Sequence, residues 1–291
     1  MTFLSDTAIA HLKDVAAWPE FTSDRYVVRD IIGRGGMGAV YAAHDSALGR
    51  DVAIKVGARL TGEAQMIARL EHPGIVPVHD YGLLADGRPF YVMKRVDGQT
   101  LEALLRGTPP LAERLRIYER VCEAVSFAHS RGVLHRDLTP ANIMIGSFGE
   151  VMVMDFGVAS LLSEQGEAGV VMGTRGFMPP EQAAGGADAV DERADVFALG
   201  AVLDAMLDGT SPAPLRSIAQ RAKHDARDAR YASVAALADD VRRFRTGDAV
   251  QAHRESALER AARFTRKYQI PILLVLAYIL MRALIASFTG M

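Results

Sequence analysis

The distribution of apolar and polar residues changes near residue 100. Before that point, short apolar runs rich in valine, isoleucine and tyrosine are separated by glycine and proline, a pattern typical of β-strands. It predicts strands at residues 26–32, 40–42, 51–55 and 90–93, with helices at 7–17 and 63–70. After that point, longer stretches carry apolar residues at helical spacing. They predict helices at 101–105, 111–129, 191–206, 215–223 and 232–244.

A last apolar stretch runs from residue 270 to residue 288 and is interrupted by Arg282 and Ser287. Its length suffices to cross a bilayer as one helix, although Arg282 also favours the alternative of a buried or amphipathic C-terminal helix. Basic residues outnumber acidic ones just before it, and they include Arg254, Arg260, Arg263, Arg266 and Lys267. By the positive-inside rule, we expect a single-pass membrane protein whose larger part lies in the cytoplasm.

Composition narrows the class of protein only modestly. The chain has 291 residues, of which 49% are hydrophobic and 23% charged, as in an ordinary packed protein. A formal net charge of −2 gives no reason to expect nucleic-acid binding. The single cysteine, Cys122, cannot form an internal disulfide, and we expect it to be a buried apolar residue in a reducing compartment. The N-terminus has no pattern of a secretory signal peptide.

Candidate chemistry is concentrated in the middle of the chain. The stretch from His135 to Asn142 reads HRDLTPAN, and Asp155-Phe156-Gly157 follows thirteen residues after Asn142. Carboxylate and amide oxygens at this spacing offer one base and two ligands for a hard cation, which are the groups that phosphoryl transfer requires. The pair of motifs resembles the catalytic and metal-binding loops of the eukaryotic-type protein kinases, including the bacterial Ser/Thr members.

This resemblance implies an α+β, two-lobed protein-kinase-like fold with ATP and Mg²⁺ or Mn²⁺ as cofactors. Asp137 would be the catalytic base, whereas Asn142 and Asp155 would ligate the metal. Lys55 would neutralise the phosphates and pair with the helix residue Glu63. The residues implied to bind ATP are Ile32, Gly33, Gly35, Gly36, Gly38, Val40, Ala53, Lys55, Met93, Val96 and Met144.

Elements of the second lobe also match the family. Asp195 corresponds to the residue that braces the catalytic loop, and Arg230 to the arginine that pairs with Glu181. The segment from 173 to 181 resembles the substrate-facing segment of Ser/Thr kinases, which disfavours a small-molecule kinase.

Three features depart from the family pattern. Only eight positions separate Lys55 from Glu63, so the helix that carries Glu63 must be trimmed. Thr139 replaces a lysine that most Ser/Thr kinases use at the γ-phosphate. Finally, a helix that usually helps dock protein substrates is missing after residue 210. No serine, threonine or tyrosine lies between Ser163 and Thr174. We therefore expect the activity to be controlled by assembly of the protein or by nucleotide binding, and not by phosphorylation in the middle of this loop.

The resulting hypothesis is an ATP-dependent protein Ser/Thr kinase at the cytoplasmic face of a bacterial membrane. Its alternative is a nucleotide-binding pseudokinase that acts as a scaffold. The predicted organisation comprises a leader (1–25), a kinase domain (26–246, with lobes at 26–96 and 97–246), a basic juxtamembrane linker (247–269) and a transmembrane helix (270–288). Unidentified protein substrates and the membrane are the expected partners, and small residues four apart near the C-terminus allow a homodimer.

Overall fold

A computed structural model of the chain describes residues 18–35, 38–57, 60–156, 176–184 and 191–289. The predicted helix at 7–17, Gly36 and residues 157–175 lie outside the described residues. Within them, the chain forms a strand-rich N-terminal lobe and a helical C-terminal lobe, so the two-lobed α+β prediction is confirmed.

The N-terminal lobe is built on an antiparallel sheet in the order β1-β2-β3-β5-β4. Its strands are β1 (Tyr26–Gly35), β2 (Gly38–Asp45), β3 (Arg50–Val56), β4 (Val78–Leu83) and β5 (Pro89–Lys94). The predicted strands coincide with β1, β2, β3 and β5, because their valine, isoleucine and tyrosine residues fit the pleated surface of a sheet. One short helix, α1 (Thr61–Ile67), follows β3.

The two faces of this sheet belong to different clusters of apolar side chains. Tyr41, Ile54 and Val92 pack in an outer cluster. The N-terminal segment covers part of that face, since Trp18 contacts Tyr41 with ring centroids 5.6 Å apart. Ala53 and Met93 belong to the larger cluster that continues into the C-terminal lobe. The inner face therefore borders the space between the lobes.

The C-terminal lobe contains a second, three-stranded sheet and several helices. The strands are β6 (Gly98–Thr100), β7 (Ile143–Gly146) and β8 (Val151–Val153). The helices are α2 (Leu101–Arg106), α3 (Leu111–Ser130), α4 (Pro180–Ala183), α5 (Glu192–Met206), α6 (Ala213–Ala222) and α7 (Val234–Thr246). Helix α5 is almost entirely buried and forms the centre of this lobe. As expected, Cys122 lies fully buried within α3.

The lobes are joined beside the candidate site. Val76 donates a backbone hydrogen bond to Val153 at 3.2 Å, and Val153 donates one to Gly74 at 2.8 Å. The ring of His72 stacks on Phe127 of α3 with centroids 5.0 Å apart. The segment after α1 is thus held against the strand that leads to Asp155.

The C-terminal part holds two helices, α8 (Ala257–Lys267) and α9 (Gln269–Thr289). Helix α8 lies in the stretch that was predicted to be a linker, and α9 covers the predicted transmembrane stretch. Among the described residues, no single helix meets the length and hydropathy criteria for a membrane span. The segments Ala257–Thr265 and Gln269–Arg282 satisfy them only as a pair bent by 73°.

Candidate active site

Asp195 on α5 holds the backbone of the catalytic loop. Its fully buried carboxylate accepts hydrogen bonds from the backbone nitrogens of His135 and Arg136, each at 2.8 Å. The Nε2 of His129 donates a third at 2.7 Å. Burial alone would raise the pKa of Asp195, but the hydrogen bond from His129 and the other donors hold that pKa below its ordinary value. The predicted bracing contact of Asp195 is therefore present.

The ring of His135 links the catalytic loop to the strand before Asp155. Its Nε2 lies 2.8 Å from the carbonyl oxygen of Met154, so this nitrogen carries the proton and donates it. Its Nδ1 accepts a hydrogen bond from the backbone nitrogen of Asp137 at 3.3 Å. The same ring packs on Phe156 with centroids 4.7 Å apart, and both side chains are fully buried. The two motifs thus form one packed unit.

Asn142 is oriented by its contact with Asp137. Its Nδ2 donates to the backbone oxygen of Asp137 at 2.8 Å and lies 3.4 Å from the carboxylate Oδ2. Asn142 ends the short 3-10 turn Pro140–Asn142, and its carbonyl oxygen accepts from Met154 at 2.9 Å. Because the amide nitrogen faces Asp137, the amide oxygen is the atom presented as a ligand.

Asp155 meets Lys55 across the space between the lobes. The Nζ of Lys55 lies 2.8 Å from Oδ1 of Asp155 and 5.8 Å from the ring centroid of Tyr91. Lys55 is buried, whereas the carboxylate of Asp155 keeps 30% of its side-chain surface exposed. Asp155 adopts a left-handed backbone conformation with φ of 58°, which aspartate tolerates better than most residues. Residues from β3 and from the second motif are therefore in direct contact.

The donors present fit a divalent cation such as Mg²⁺. The carboxylate of Asp155 and the amide oxygen of Asn142 are hard oxygen ligands, and Mg²⁺ in such sites usually takes one or two protein ligands besides phosphate and water. Within the described residues, no cluster of three His, Cys, Asp or Glu side chains forms a dedicated protein cage. The site therefore suits a metal shared with a phosphate ligand.

Strand register explains how the predicted nucleotide residues share one face. Val40 pairs with Lys55, Ala53 pairs with Met93, and Lys55 pairs with Tyr91. Paired residues lie on the same side of an antiparallel sheet, and residues two apart in a strand do as well. Val40, Ala53, Lys55 and Met93 therefore line the inner face. Ala53 and Met93 are buried there, and Val40 and Val96 pack against the same cluster.

Two other predicted nucleotide residues are less enclosed. Ile32 lies at a register shift in β1 and is 52% exposed. Met144 is half-buried on β7, opposite Thr100 and Met152. Neither the strand register nor the exposure of these two residues tests a contact with nucleotide, so their roles stay predictions.

The glycines of the β1–β2 hairpin have different structural requirements. Gly38 has φ of 145°, and a Cβ added there would lie 2.0 Å from the carbonyl oxygen of Val56. A Cβ on Gly33 would make only ordinary contacts, and one on Gly35 would meet no atom within 4 Å. Folding thus requires glycine at position 38, whereas no contact among the described residues requires it at position 35, where close approach of a ligand stays a prediction.

The structure does not test the predicted ion pair between Lys55 and Glu63. Glu63 lies in the first turns of α1, which has only seven residues, as the short connection requires. The side chain of Glu63 lies outside the described side chains, so the pairing stays a prediction.

One ion pair and one hydrogen bond hold helix α4 in place. Arg230 donates to both oxygens of Glu181, at 2.7 and 2.9 Å, as the family resemblance implies. Gln182 donates from Nε2 to the backbone oxygen of Arg136 at 2.9 Å. The contacts of Gln182 and His129 were not predicted, because no local pattern indicates a partner that lies far along the chain.

Comparison with known proteins identifies relatives of this arrangement. The serine/threonine-protein kinase PknB of Mycobacterium leprae is 41% identical over 213 residues, which cover 67% of this chain and 34% of that protein. The DNA damage-responsive serine/threonine-protein kinase RqkA of Deinococcus radiodurans is 42% identical over 205 residues, covering 65% of this chain and 30% of that protein. The chain thus spans about a third of the length of these curated relatives.

A solved structure and a family model agree with these relatives. The crystal structure of the Mycobacterium tuberculosis PknI kinase domain aligns with a TM-score of 0.62 and 28% identity, covering 78% of this chain and 99% of that domain. The family model described as the protein kinase domain matches residues 26–262. The chain therefore belongs to the protein kinase domain family, among relatives of the bacterial Ser/Thr kinases.

Proposed function

We propose that the protein is an ATP-dependent protein Ser/Thr kinase. The observation that carries this proposal is the contact of Lys55 with Asp155 at 2.8 Å, beside the Asn142–Asp137 hydrogen bond. These contacts bring a cation, two oxygen ligands and a candidate base together from separate parts of the chain. The curated relatives named above are Ser/Thr-protein kinases, which disfavours the pseudokinase alternative.

Each residue has a role that follows from its chemistry. Asp137 would accept the proton of a Ser or Thr hydroxyl, and Lys55 would neutralise the α- and β-phosphates of ATP. Asn142 and Asp155 would hold Mg²⁺, which supplies charge stabilisation at the phosphates when it is bound. Gly33, Gly35, Gly36 and Gly38 would let backbone amides approach the phosphates, and Glu63 would position Lys55.

The adenine would lie against the inner face of the N-terminal sheet. Val40 and Ala53 would cover one side of the ring, Met144 would form the other side, and Met93 would close the back. The backbone of Val96 would contact the adenine edge. Packing of Val40, Ala53, Met93 and Val96 around a common cluster supports this placement.

Phosphate transfer from labelled ATP to a generic basic protein tests the activity. We expect Mg²⁺- or Mn²⁺-dependent incorporation on Ser or Thr, which the Asp137→Asn and Asp155→Asn variants should abolish. Asp225→Asn is a matched control, because Asp225 is exposed and its contact with Arg230 is made by the backbone oxygen, which the substitution leaves in place. If wild-type protein transfers nothing while ATP raises its melting temperature, the pseudokinase hypothesis replaces this one.

We also propose that α9 anchors the protein in the cell membrane, with the kinase domain in the cytoplasm. In the stretch 273–281 of this helix the large apolar side chains are more than half exposed, among them Leu273, Leu274, Val275, Leu276, Tyr278, Ile279 and Leu280. Consecutive residues point to every side of a helix, so no single partner face would cover them. Such an apolar surface is unusual unless a bilayer or a partner covers it.

Sedimentation of the full chain with lipid vesicles tests this anchor. We expect the protein to remain with the vesicles after an alkaline wash and to require detergent for release. Release by the wash alone would contradict insertion. Crosslinking in the same vesicles tests the predicted homodimer.

A further inference from the structure

Helix α8, which lies within the predicted linker, begins at a well-defined N-terminal cap. Ser256 caps it by accepting a hydrogen bond from the backbone nitrogen of Glu259 at 3.2 Å. Glu259 in return accepts one from the backbone nitrogen of Ser256 at 2.7 Å, which completes a capping box. The stretch therefore has a defined axis and defined faces.

The two faces of α8 differ sharply in character. Leu258, Ala261, Ala262 and Thr265 follow helical spacing, and Phe264 and Tyr268 flank this row. Arg260, Arg263 and Lys267 lie on the opposite side. Leu258 is 84% exposed, Phe264 58% and Tyr268 42%, with the last two rings 4.7 Å apart. Nothing in the described part of the chain covers this apolar face.

Ion pairs and hydrogen bonds fix the direction of α8 relative to the C-terminal lobe. The buried carboxylate of Asp240 accepts from the backbone nitrogens of Gln251 and Ala252, which secures the segment before α8 to α7. Arg263 donates to both oxygens of Glu255, at 2.7 and 3.0 Å. Lys267 pairs with Asp248 at the end of α7. The helix is thus attached at both ends while its apolar face stays outside.

The bend between α8 and α9 has an identifiable cause. Pro271 has no backbone N–H, so the carbonyl of Lys267 receives no helical hydrogen bond from that position. The axes meet at 73°. When α9 lies along the bilayer normal, α8 therefore lies close to the bilayer plane, at the level where the span begins.

We propose that α8 lies flat on an anionic bilayer surface and thereby sets the orientation of the kinase domain. This inference rests on the proposed anchoring of α9 and extends it. A helix with lysine and arginine on one face and phenylalanine, tyrosine and leucine on the other fits the boundary between headgroups and acyl chains. Arg263 and Lys267 are paired with Glu255 and Asp248, so among the described side chains of α8 the exposed Arg260 is the cation available to anionic headgroups, and its charge favours anionic lipid as the occupant of this face.

Depth-dependent fluorescence quenching tests this proposal with the full chain. Trp18 is the only tryptophan, so W18F provides a background into which L258W or F264W places a single reporter. A235W, at an exposed site on α7, is the matched control. Lipids brominated near the glycerol end of the acyl chain should quench both α8 reporters in phosphatidylglycerol-containing vesicles, and should leave the control unquenched.

Charge variants distinguish a lipid surface from simple apolar contact. The R260Q substitution removes one exposed cation. It should lower the ratio of membrane-bound α8 to α8 detached from the bilayer by about fivefold, as measured by quenching of the α8 reporter. R120Q, an exposed arginine on α3, should leave it unchanged. Pure phosphatidylcholine, which offers no anionic headgroup, should reduce the wild-type signal at least as much as R260Q does.

The outcomes separate this proposal from those on which it rests. If the protein stays with the vesicles but the α8 reporters resemble A235W, α8 does not lie on the bilayer, although the anchor stands. If quenching is absent and energy transfer between labelled copies grows with protein density, a second copy covers the face instead. If the chain does not sediment with the vesicles, the anchor and the α8 proposal are both wrong, while phosphate transfer is measured independently.

Discussion

Arg230 and Glu181 form a bidentate ion pair beneath the segment that follows the catalytic loop, with the side chain of Arg230 fully buried. Arg230 also donates to the backbone oxygens of His224, Arg193 and Asp225. Its guanidinium lies 4.9 Å from the ring of Phe197 on α5. One side chain therefore joins α4, α5 and the loop before α7.

Loss of Arg230 should destabilise the C-terminal lobe. Arg230→Ala leaves a partly buried carboxylate and several carbonyls without their donor, so we expect a loss of about 3–5 kcal/mol in the free energy of unfolding. Urea unfolding followed by circular dichroism measures it. Arg242→Ala, which removes an exposed arginine from a surface pair, should cost much less. Equal losses of unfolding free energy for the two variants would show that the buried pair stabilises the lobe no more than the surface pair does.

The same pair should make stability depend on pH in a defined direction. Burial would raise the pKa of Glu181, but the hydrogen bond from Arg230 and nearby positive charge hold it below its ordinary value of 4.5. Because the folded pKa is depressed, the stabilisation is fully present above pH 4.5 and is lost as pH falls through the lower folded pKa. The stability difference between wild type and Glu181→Gln should therefore shrink in acid. A constant difference across that range would contradict the assignment.

Local sequence patterns predicted most of the fold because burial follows them closely. The strands around Lys55 and the helices on both sides of the catalytic loop lie where apolar periodicity places them. The short sheet of β6, β7 and β8 was missed, since strands of three or four residues carry too little pattern. Helix α8 was also missed, although Ser256 and Glu259 form a recognisable capping signal.

The residues alone indicate contacts within a motif, whereas the distant contacts that were predicted, those of Asp195 and Arg230, came from the family resemblance. Asp137 and Asn142 are five positions apart, and their contact follows from a single turn. The contact of Lys55 with Asp155 joins residues one hundred positions apart and depends on how the lobes pack. Similarly, only the folded chain places Gln182 against the carbonyl of Arg136.

Asp195 should act as a positioning residue for phosphate transfer. The carboxylate of Asp195 accepts hydrogen bonds from three N–H groups. In Asp195→Asn, the side-chain NH₂ is itself a donor, so at least one of these hydrogen bonds is lost. We expect kcat to fall by about ten- to a hundredfold through misplacement of Asp137, with little change in the KM for ATP. Asp204→Asn, an exposed position on the same helix, should behave as wild type. A change confined to the KM would instead point to nucleotide binding.

Gly38 and Gly35 should respond differently to alanine. Gly38→Ala forces a side chain into a positive-φ conformation and against the carbonyl of Val56, so thermal stability should fall, with about 1–3 kcal/mol from the backbone conformation alone. Gly35→Ala meets no neighbour and should leave stability unchanged while weakening ATP binding. Unfolding and nucleotide titration of both variants measure this. Tight ATP binding by Gly35→Ala would contradict close approach of the phosphates at that glycine.

Thr139 provides a direct test of how far the missing lysine limits catalysis. Thr139 is buried at the start of the turn Pro140–Asn142, immediately before the residues that position Asn142. A lysine there could extend along the turn and place a cation near the developing charge of the transferred phosphate, so Thr139→Lys should raise kcat, by up to about 10²-fold. Thr139→Met, similar in length but uncharged, is the matched control and should give no gain. Comparison of kcat under saturating ATP measures the effect, and equal rates for wild type and Thr139→Lys, with the fold intact, would mean that another cation already serves the γ-phosphate.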